Sequence, residues 1–457
     1  MAEYSSPVAD EQRLNAISSL VWSFIISGTT LSMKVLVIGG GGREHALVWK
    51  LRQSPRLSQV YCLPGNGGIC EEATCMPGDP KSLASLLSVA HQIQPDLTVV
   101  GPEISLSIGV VDEFTRRGLR IFGPTQRAAQ LETSKSFAKE FMQRHQVPTA
   151  HYAVCTSEED LRKSLGLFST PVVVKADGLA AGKGVVIAAT KEEAAIAGVS
   201  MFNGRLLGTP VANVVLEEFL EGEEISFLVL SDGERMAALV PAQDHKRIGD
   251  GDKGANTGGM GAYSTASLLD AGMTEWLMNH IAQPVIEGMK SEGAEYRGIL
   301  YCGLMMTARG PMVLEFNCRF GDPETQAVLM RLDSDLLDAI EAAVEGRVSP
   351  GEFKWSSDAS CCVVVASGGY PGSFMTGKQI SGLDRAGAVS NVKVFHAGTS
   401  KRDGIFYTSG GRVLGVTARA PRLEDAITRA YEAVRLISFE EMYYRKDIGA
   451  RALKAPK

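Results

Sequence analysis

Twelve consecutive residues carry the densest chemistry in this chain: Val313-Leu314-Glu315-Phe316-Asn317-Cys318-Arg319-Phe320-Gly321-Asp322-Pro323-Glu324. The run begins apolar, as a strand does, and passes without a break into polar residues. Side chains two apart on a strand share a face and lie roughly 7 Å apart along it. Glu315 and Asn317 therefore point the same way, and Arg319 follows where the strand ends. Two oxygen ligands beside a fixed cation suit Mg²⁺ bound to phosphate, because magnesium takes a few protein oxygens and completes its shell with phosphate and water. Cys318 lies inside the run, but no base stands beside it to make it a nucleophile.

Other polar and glycine-rich runs follow apolar strands. Gly39-Gly40-Gly41-Gly42-Arg43-Glu44, Pro64-Gly65-Asn66-Gly67-Gly68, Gly101-Pro102-Glu103 and Gly123-Pro124-Thr125 stand at four successive strand ends. The first is not a dinucleotide fingerprint, because Glu44 takes the third glycine's place and no acidic residue ends the second strand. Its backbone N–H groups and the following helix N-terminus can still meet a phosphate. Lys175 and Lys183 flank Ala176-Asp177-Gly178-Leu179-Ala180-Ala181-Gly182 between two apolar strands. The loop is one residue short of a Walker A spacing and enters a strand, so it reads as a hairpin closing over polyphosphate. Glu217-Glu218-Phe219-Leu220 ends another strand, with Glu224 just beyond it, and such a bend can read an adenine edge and ribose hydroxyls. Gln243-Asp244-His245-Lys246-Arg247 and Asn256-Thr257-Gly258-Gly259-Met260-Gly261 belong to a long loop suited to closure on a substrate.

The elements that must position these groups read as an α/β and α+β multidomain chain. Strands at about 34–38, 59–62, 97–100 and 119–122 alternate with helices such as Glu44–Gln53, which implies parallel βαβ units with sites at the strands' carboxyl ends. The centre, 135–350, reads as mostly antiparallel, with a small lid subdomain at about 150–225. Gly346-Arg347-Val348-Ser349-Pro350-Gly351 marks a boundary, and 353–457 reads as a small α+β domain with strands at 361–366 and 411–417 and a helix near 423–437. Residues 1–32 read as an extension outside the fold. Ile17, Leu20, Val21, Phe24 and Ile25 keep helical spacing, but the run is too short and Ser-rich to span a bilayer.

The 457 residues are 45% apolar with a net charge of −6, so no general attraction to nucleic acid or anionic membrane is expected and an anionic ligand must be held locally. Eight cysteines show no C-x-x-C pair and no framework spacing, which fits a reducing cytosol and a cytoplasmic protein.

Taken in order, these runs, with Val99-Val100-Gly101-Pro102-Glu103 and Arg445-Lys446-Asp447-Ile448-Gly449, resemble the phosphoribosylamine–glycine ligases, members of the ATP-grasp superfamily, from Met33 to about Arg451. The resemblance implies an N-terminal parallel βαβ substrate-binding domain at 33–134, a central ATP-grasp domain at 135–350 and a C-terminal α+β domain. It implies ATP-dependent joining of glycine to 5-phospho-β-D-ribosylamine through a glycyl phosphate, in purine synthesis, by a monomer or weak homodimer. Glu315 and Asn317 would hold Mg²⁺ or Mn²⁺ on ATP, Lys175 and Lys183 would contact the phosphates, and Glu217, Glu218, Phe219, Leu220 and Glu224 would seat the nucleoside. Arg319 would stabilise the transferring phosphoryl. Asp244, His245 and Lys246 would line the acceptor region. Gly41, Gly42, Asn66 and Glu103 would hold the ribose 5-phosphate.

Two departures from the family pattern stand out. Gly40 replaces the usual Asn or Ser of the first turn, and the strand Gly303-Leu304-Met305-Met306 offers no second metal carboxylate. The alternatives are another ATP-grasp ligase, such as a biotin-type carboxylase component, and an inactive nucleotide-binding homologue. Lys183→Ala should mainly weaken use of ATP; an unchanged apparent ATP affinity and rate in steady-state assays would demote it to a surface lysine.

Overall fold

The computed structural model describes residues 32–179 and 184–454. The expected extension and Lys183 lie outside the described residues, apart from residue 32. The N-terminal domain is a five-stranded parallel sheet of β1 (Met33–Gly39), β2 (Leu57–Pro64), β3 (Thr74–Cys75), β4 (Leu97–Val100) and β5 (Ile121–Phe122), in the order β3-β2-β1-β4-β5. Lys34 is the one exposed residue of β1, because both sheet faces are covered, as the near-continuous apolar run requires. The strand order reverses beside β1, so its carboxyl end opens on a crevice. There the helix Gly42–Leu51 starts in a capping box, in which the Gly41 N–H donates to Glu44 Oε2 at 2.6 Å.

Two antiparallel sheets follow. The lid is β6 (Tyr152–Cys155), β7 (Val172–Ala176), β8 (Val185–Ala188) and β9 (Val214–Glu218), in the order β6-β9-β7-β8 over its own core of Leu161, Val174 and Leu216. The chain then leaves the lid: β10 (Glu223–Asp232) joins β11 (Met236–Ala238), β16 (Arg297–Thr307) and β17 (Gly310–Asn317) in the order β11-β10-β16-β17. The lid sheet therefore stops at Glu218. At the bend, a Cβ on Gly222 (φ +157°) would overlap the Met306 carbonyl, so glycine is what allows the two chains to approach.

Between β11 and β16 the chain forms β12 (Gln243–Asp244), β13 (Arg247–Gly249), β14 (Lys253–Asn256) and β15 (Gly261–Ser264). β12 and β15 do not extend the ATP-grasp sheet. They belong to the C-terminal sheet, β12 at its edge and β15 inside it, completed by β18 (Ala359–Ala366), β23 (Arg412–Ala420) and β20 (Val392–His396) in the order β12-β15-β18-β23-β20. The C-terminal domain thus takes in residues that a division at 350 leaves in the centre. The helix Leu423–Val434 covers this sheet through Ala426, Ala430 and Val434.

The N-terminal and central parts share buried cores, one joining Leu36, Leu86 and Phe114 to Phe227, Leu300 and Val313, another joining Val35 and Leu47 to Leu228 and Leu337. Cys70 and Cys75 form a disulfide, which spacing alone does not announce, while the six other cysteines are free and buried. No helix among the described residues is long and apolar enough to cross a membrane.

The 250–261 segment, expected as a lid, is anchored by the C-terminal loop that carries Arg445 and Asp447. Arg445, fully buried, donates to Asp447 Oδ1 at 2.8 Å, to Asp252 Oδ1 at 3.0 Å and to the Arg247 carbonyl at 3.0 Å, while the Gly251 N–H donates to Asp447 Oδ2 at 2.8 Å. Arg445→Met should lower unfolding stability by about 3 kcal/mol, the cost of breaking a buried ion pair. A urea midpoint shift with unchanged slope would register it, and an unshifted midpoint would refute the anchoring role.

Candidate active site

A cleft of about 490 Å³ lies between the lid, the β10-β16-β17 sheet and the N-terminal domain. Its floor is β17. The pairing of β16 with β17 skips one residue, from Gly303↔Glu315 to Leu304↔Val313, so Leu314 is bulged out of the ladder. The freed Leu314 carbonyl accepts a hydrogen bond from Lys175 Nζ at 3.0 Å. Lys175 also pairs with Glu217 Oε1 at 2.8 Å, and Glu217 Oε2 pairs with Lys139 at 2.8 Å. Burial pushes the Glu217 carboxyl up, but the two ammonium groups outweigh it and hold it below the ordinary value. Burial lowers Lys139 to about 8 against the pull of Glu217.

Glu315 and Asn317 face the cleft from β17, with Arg319 just past the strand end. Lys246 reaches Glu224 Oε2 at 2.9 Å and Glu315 Oε1 at 3.7 Å. Burial raises Glu315, yet Lys246, Lys175 and Lys135 together keep its carboxyl below the ordinary value. Burial likewise works to lower Lys246, but Glu224, Glu315 and Asp244 hold it well above the ordinary lysine value. Asp244 is pushed well up by burial despite Lys246.

Arg319 joins three elements. It meets Glu132 Oε1 at 2.8 Å and Glu103 Oε2 at 3.3 Å, and donates to Asn317 Oδ1 at 2.9 Å. Burial opposes its charge, and the two carboxylates more than restore it, leaving the guanidinium above its ordinary value. Glu103 opens the helix Glu103–Ser107 after β4; burial raises its carboxyl, but Arg319 and Arg43 bring it down to about 2.

Three descriptions of known families match the chain: the phosphoribosylglycinamide synthetase N domain over residues 33–132, its ATP-grasp (A) domain over 133–325 and its C domain over 360–451. The chain belongs to the phosphoribosylglycinamide synthetase family. It is 48% identical to the phosphoribosylamine–glycine ligase of Vibrio parahaemolyticus over 92% of this chain and 99% of that protein. The crystal structure of the phosphoribosylamine–glycine ligase of Thermotoga maritima superposes with a TM-score of 0.80 at 33% identity, covering 91% of this chain and all (100%) of that one. The biotin carboxylase domain of a Hydrogenobacter thermophilus 2-oxoglutarate carboxylase, solved with MgADP and bicarbonate, matches with a TM-score of 0.67 at 18% identity over 90% of this chain and 91% of that chain. That likeness is one of fold alone.

Within this family framework, several expected residues serve other ends. His245 does not line the cleft. Alternate side chains of an extended segment face opposite ways, so Asp244 and Lys246 face the cleft while His245 turns into the C-terminal domain, where it is buried and its Nε2 accepts from the Gly449 N–H at 3.4 Å. Burial, then Arg445 and Arg451, lower it to about 4. The Asn66 side chain is fully used by its own surroundings: it donates to the carbonyls of Gly40 at 2.9 Å and His396 at 2.8 Å and accepts from the N–H groups of Gly68 and Ile69, both at 2.9 Å. The Gly41 N–H is taken by Glu44. Gly41, Gly42 and Asn66 therefore shape the N-terminal end of the site through backbone geometry. Glu218 lines the cleft with Phe219 and Leu220 while its Oε1 accepts from Arg309 at 2.7 Å.

The structure adds residues that sequence reasoning missed. Lys135 and Lys139, four apart on the helix Lys135–Arg144, face the cleft, and Lys135 Nζ donates to the Gly178 carbonyl at the foot of the lid hairpin at 2.9 Å. Their i,i+4 spacing was a readable signal. Glu132, one turn earlier, was not distinguishable from any helical glutamate.

The Glu103 value sets a pH dependence. A carboxyl held near 2 when folded and near its ordinary 4.5 when unfolded contributes stability above pH 4.5, and that contribution is lost as pH falls toward 2. Arg319→Met removes its main counter-charge, so the stability gap between wild type and variant should be widest above pH 5 and narrow by pH 3. Urea unfolding at both pH values tests this, and a constant gap would show that Glu103 does not depend on Arg319.

Proposed function

We propose that this chain joins glycine to 5-phospho-β-D-ribosylamine at the expense of ATP, giving glycinamide ribonucleotide, ADP and phosphate in de novo purine biosynthesis. The observation that carries this reading at the level of residues is the Arg319 junction. One largely buried guanidinium touches the strand that offers Glu315 and Asn317 and the N-terminal domain that offers Glu103. A cation so placed serves both halves of a reaction in which a phosphoryl group arrives and later leaves.

In the first half, a glycine carboxylate oxygen attacks the γ-phosphorus, the bond to the β-phosphate oxygen breaks, and ADP departs. Phosphoryl transfer asks for positioning and charge neutralisation. Lys175 and Lys135 supply fixed positive charge on the lid side, and the Glu217–Lys139 pair keeps Lys175 from collapsing elsewhere. The bend at Phe219 and Leu220 seats the nucleoside, with Glu224 beside it. In the second half, the sugar amine attacks the glycyl carbonyl, the C–N bond forms, and the bond to phosphate breaks. Arg319 steadies the phosphate as it leaves, and Asp244 and Lys246 border the space where the acyl phosphate waits. The lid hairpin and the anchored 247–261 segment keep water away from an intermediate that water would destroy.

A divalent metal fits the donor set. Glu315 offers a carboxylate and Asn317 an amide oxygen, both hard ligands, and no group of three His, Cys, Asp or Glu among the described residues forms a protein cage. Mg²⁺ or Mn²⁺ held by these two residues would offset triphosphate charge.

Purified protein given ATP, Mg²⁺, glycine and freshly generated phosphoribosylamine should release ADP only when all are present. Release with bicarbonate in place of the sugar amine would overturn the acceptor. Glu315→Ala should lower turnover at least about 100-fold, as removal of one key electrostatic group does, with the fold intact by circular dichroism. Wild-type-like turnover would sink the metal assignment.

A further inference from the structure

Besides Glu132, already tied to Arg319, four carboxylates gather at the N-terminal end of the cleft, each with partners of its own. Glu44 holds Arg43 and the Gly41 N–H, both at 2.6 Å. Glu103 is shared by Arg319 at 3.3 Å and Arg43 at 4.0 Å. Glu324, buried, accepts from Ser226 at 3.0 Å and Tyr301 at 2.9 Å. The fourth is Asp322. Its Oδ2 accepts from Arg412 Nη2 at 2.9 Å and its Oδ1 from Gln326 Nε2 at 2.8 Å.

These two partners come from different parts of the chain. Arg412 opens β23 of the C-terminal domain, and Gln326 sits on the helix Glu324–Met330 of the central domain. Arg412 Nη1 also donates to the Asp322 carbonyl at 2.8 Å, to the Gly259 carbonyl at 3.4 Å and to the Gly258 carbonyl, so the same guanidinium fixes the turn after Arg319 and the Gly258–Gly259 segment. On its remaining side Asp322 faces the first glycine turn. A Cβ on Gly41 would lie 3.7 Å from Oδ2, and one on Gly42 would lie 3.6 Å from Oδ1. Both distances are ordinary van der Waals contacts, so Asp322 packs beside the turn, and the 17% of its side chain that stays exposed faces the cleft it lines.

A carboxylate accepts about four hydrogen bonds, and the side chains of Arg412 and Gln326 fill two. We propose that Asp322 is the carboxylate that receives the sugar amine substrate, accepting from its N–H and ring hydroxyl groups, and that Arg412 and Gln326 are positioning residues that aim it. This rests on the ligase reading given above. Phosphoribosylamine is rich in donors near its reacting nitrogen, and an acceptor-only group held on its far side orients the amine toward the glycyl carbonyl. In this role Asp322 touches neither ATP nor glycine, which gives the role a signature that a structural defect lacks.

The test is steady-state kinetics of Asp322→Asn, Asp322→Glu and Arg412→Lys with the three substrates varied in turn. Asp322→Asn should raise KM for phosphoribosylamine tenfold or more, with KM for ATP and for glycine within twofold of wild type. Asp322→Glu should recover part of the loss, and Arg412→Lys should move the same constant by a smaller factor. An unmoved phosphoribosylamine KM, or an equal rise in all three constants, overturns the proposal. Should Asp322→Asn fail to fold, Arg412→Lys decides by the same criterion. Failure of wild-type protein to use phosphoribosylamine at all would instead overturn the ligase reading.

Discussion

The arrangement of this molecule depends on one positive charge held largely out of water, its side chain 16% exposed. Taking a guanidinium out of water costs several kcal/mol unless its charge is paired. Arg319 meets that demand with Glu132, Glu103 and Asn317, which come from three separate elements. Glu132 also accepts the Cys318 N–H at 2.7 Å, so it holds the backbone of the turn as well as the charge upon it. The N-terminal sheet, the helix before the lid and the end of β17 are therefore bound to one point. In the proposed mechanism the reacting groups need that same point, because a fixed, largely desolvated cation is worth more to a transferring phosphoryl group than a mobile one in water.

A second electrostatic unit organises the opposite wall. Glu217 is buried between Lys139 and Lys175, and the Leu314 bulge supplies Lys175 with a carbonyl. One irregularity in the β16–β17 ladder and one buried carboxylate thus fix a lysine that would otherwise be a flexible point charge. Lys135, tied to the Gly178 carbonyl, links this wall to the base of the lid hairpin.

The C-terminal domain is more than an appendage. It takes β12 and β15 into its own sheet and anchors the segment between them with Arg412 at one end and Arg445 at the other. The Asp244–Lys246 side of the cleft is built on this domain, while the Lys175–Leu220 side is built on the lid and the central sheet. The two sides thus rest on different structural supports.

Much of this was written in local pattern. The period of two along Val313–Asn317 put Glu315 and Asn317 on one face. The glycine-rich strand ends marked the crevice, and the alternation from Met33 onward implied the parallel sheet. The same period, applied to Asp244-His245-Lys246, could have turned His245 away from its neighbours. What local pattern could not carry was partnership. Glu132 and Arg412 are ordinary residues in sequence, and they acquire meaning only from side chains far along the chain. Asn66 looked free and is fully hydrogen-bonded, and Cys70 and Cys75 looked unpaired and are joined. The sequence by itself determined which residues face together, because backbone periodicity is local. Only the tertiary structure decided which charges and donors are already satisfied and which remain open, because a buried group's partner is chosen by packing across the whole chain.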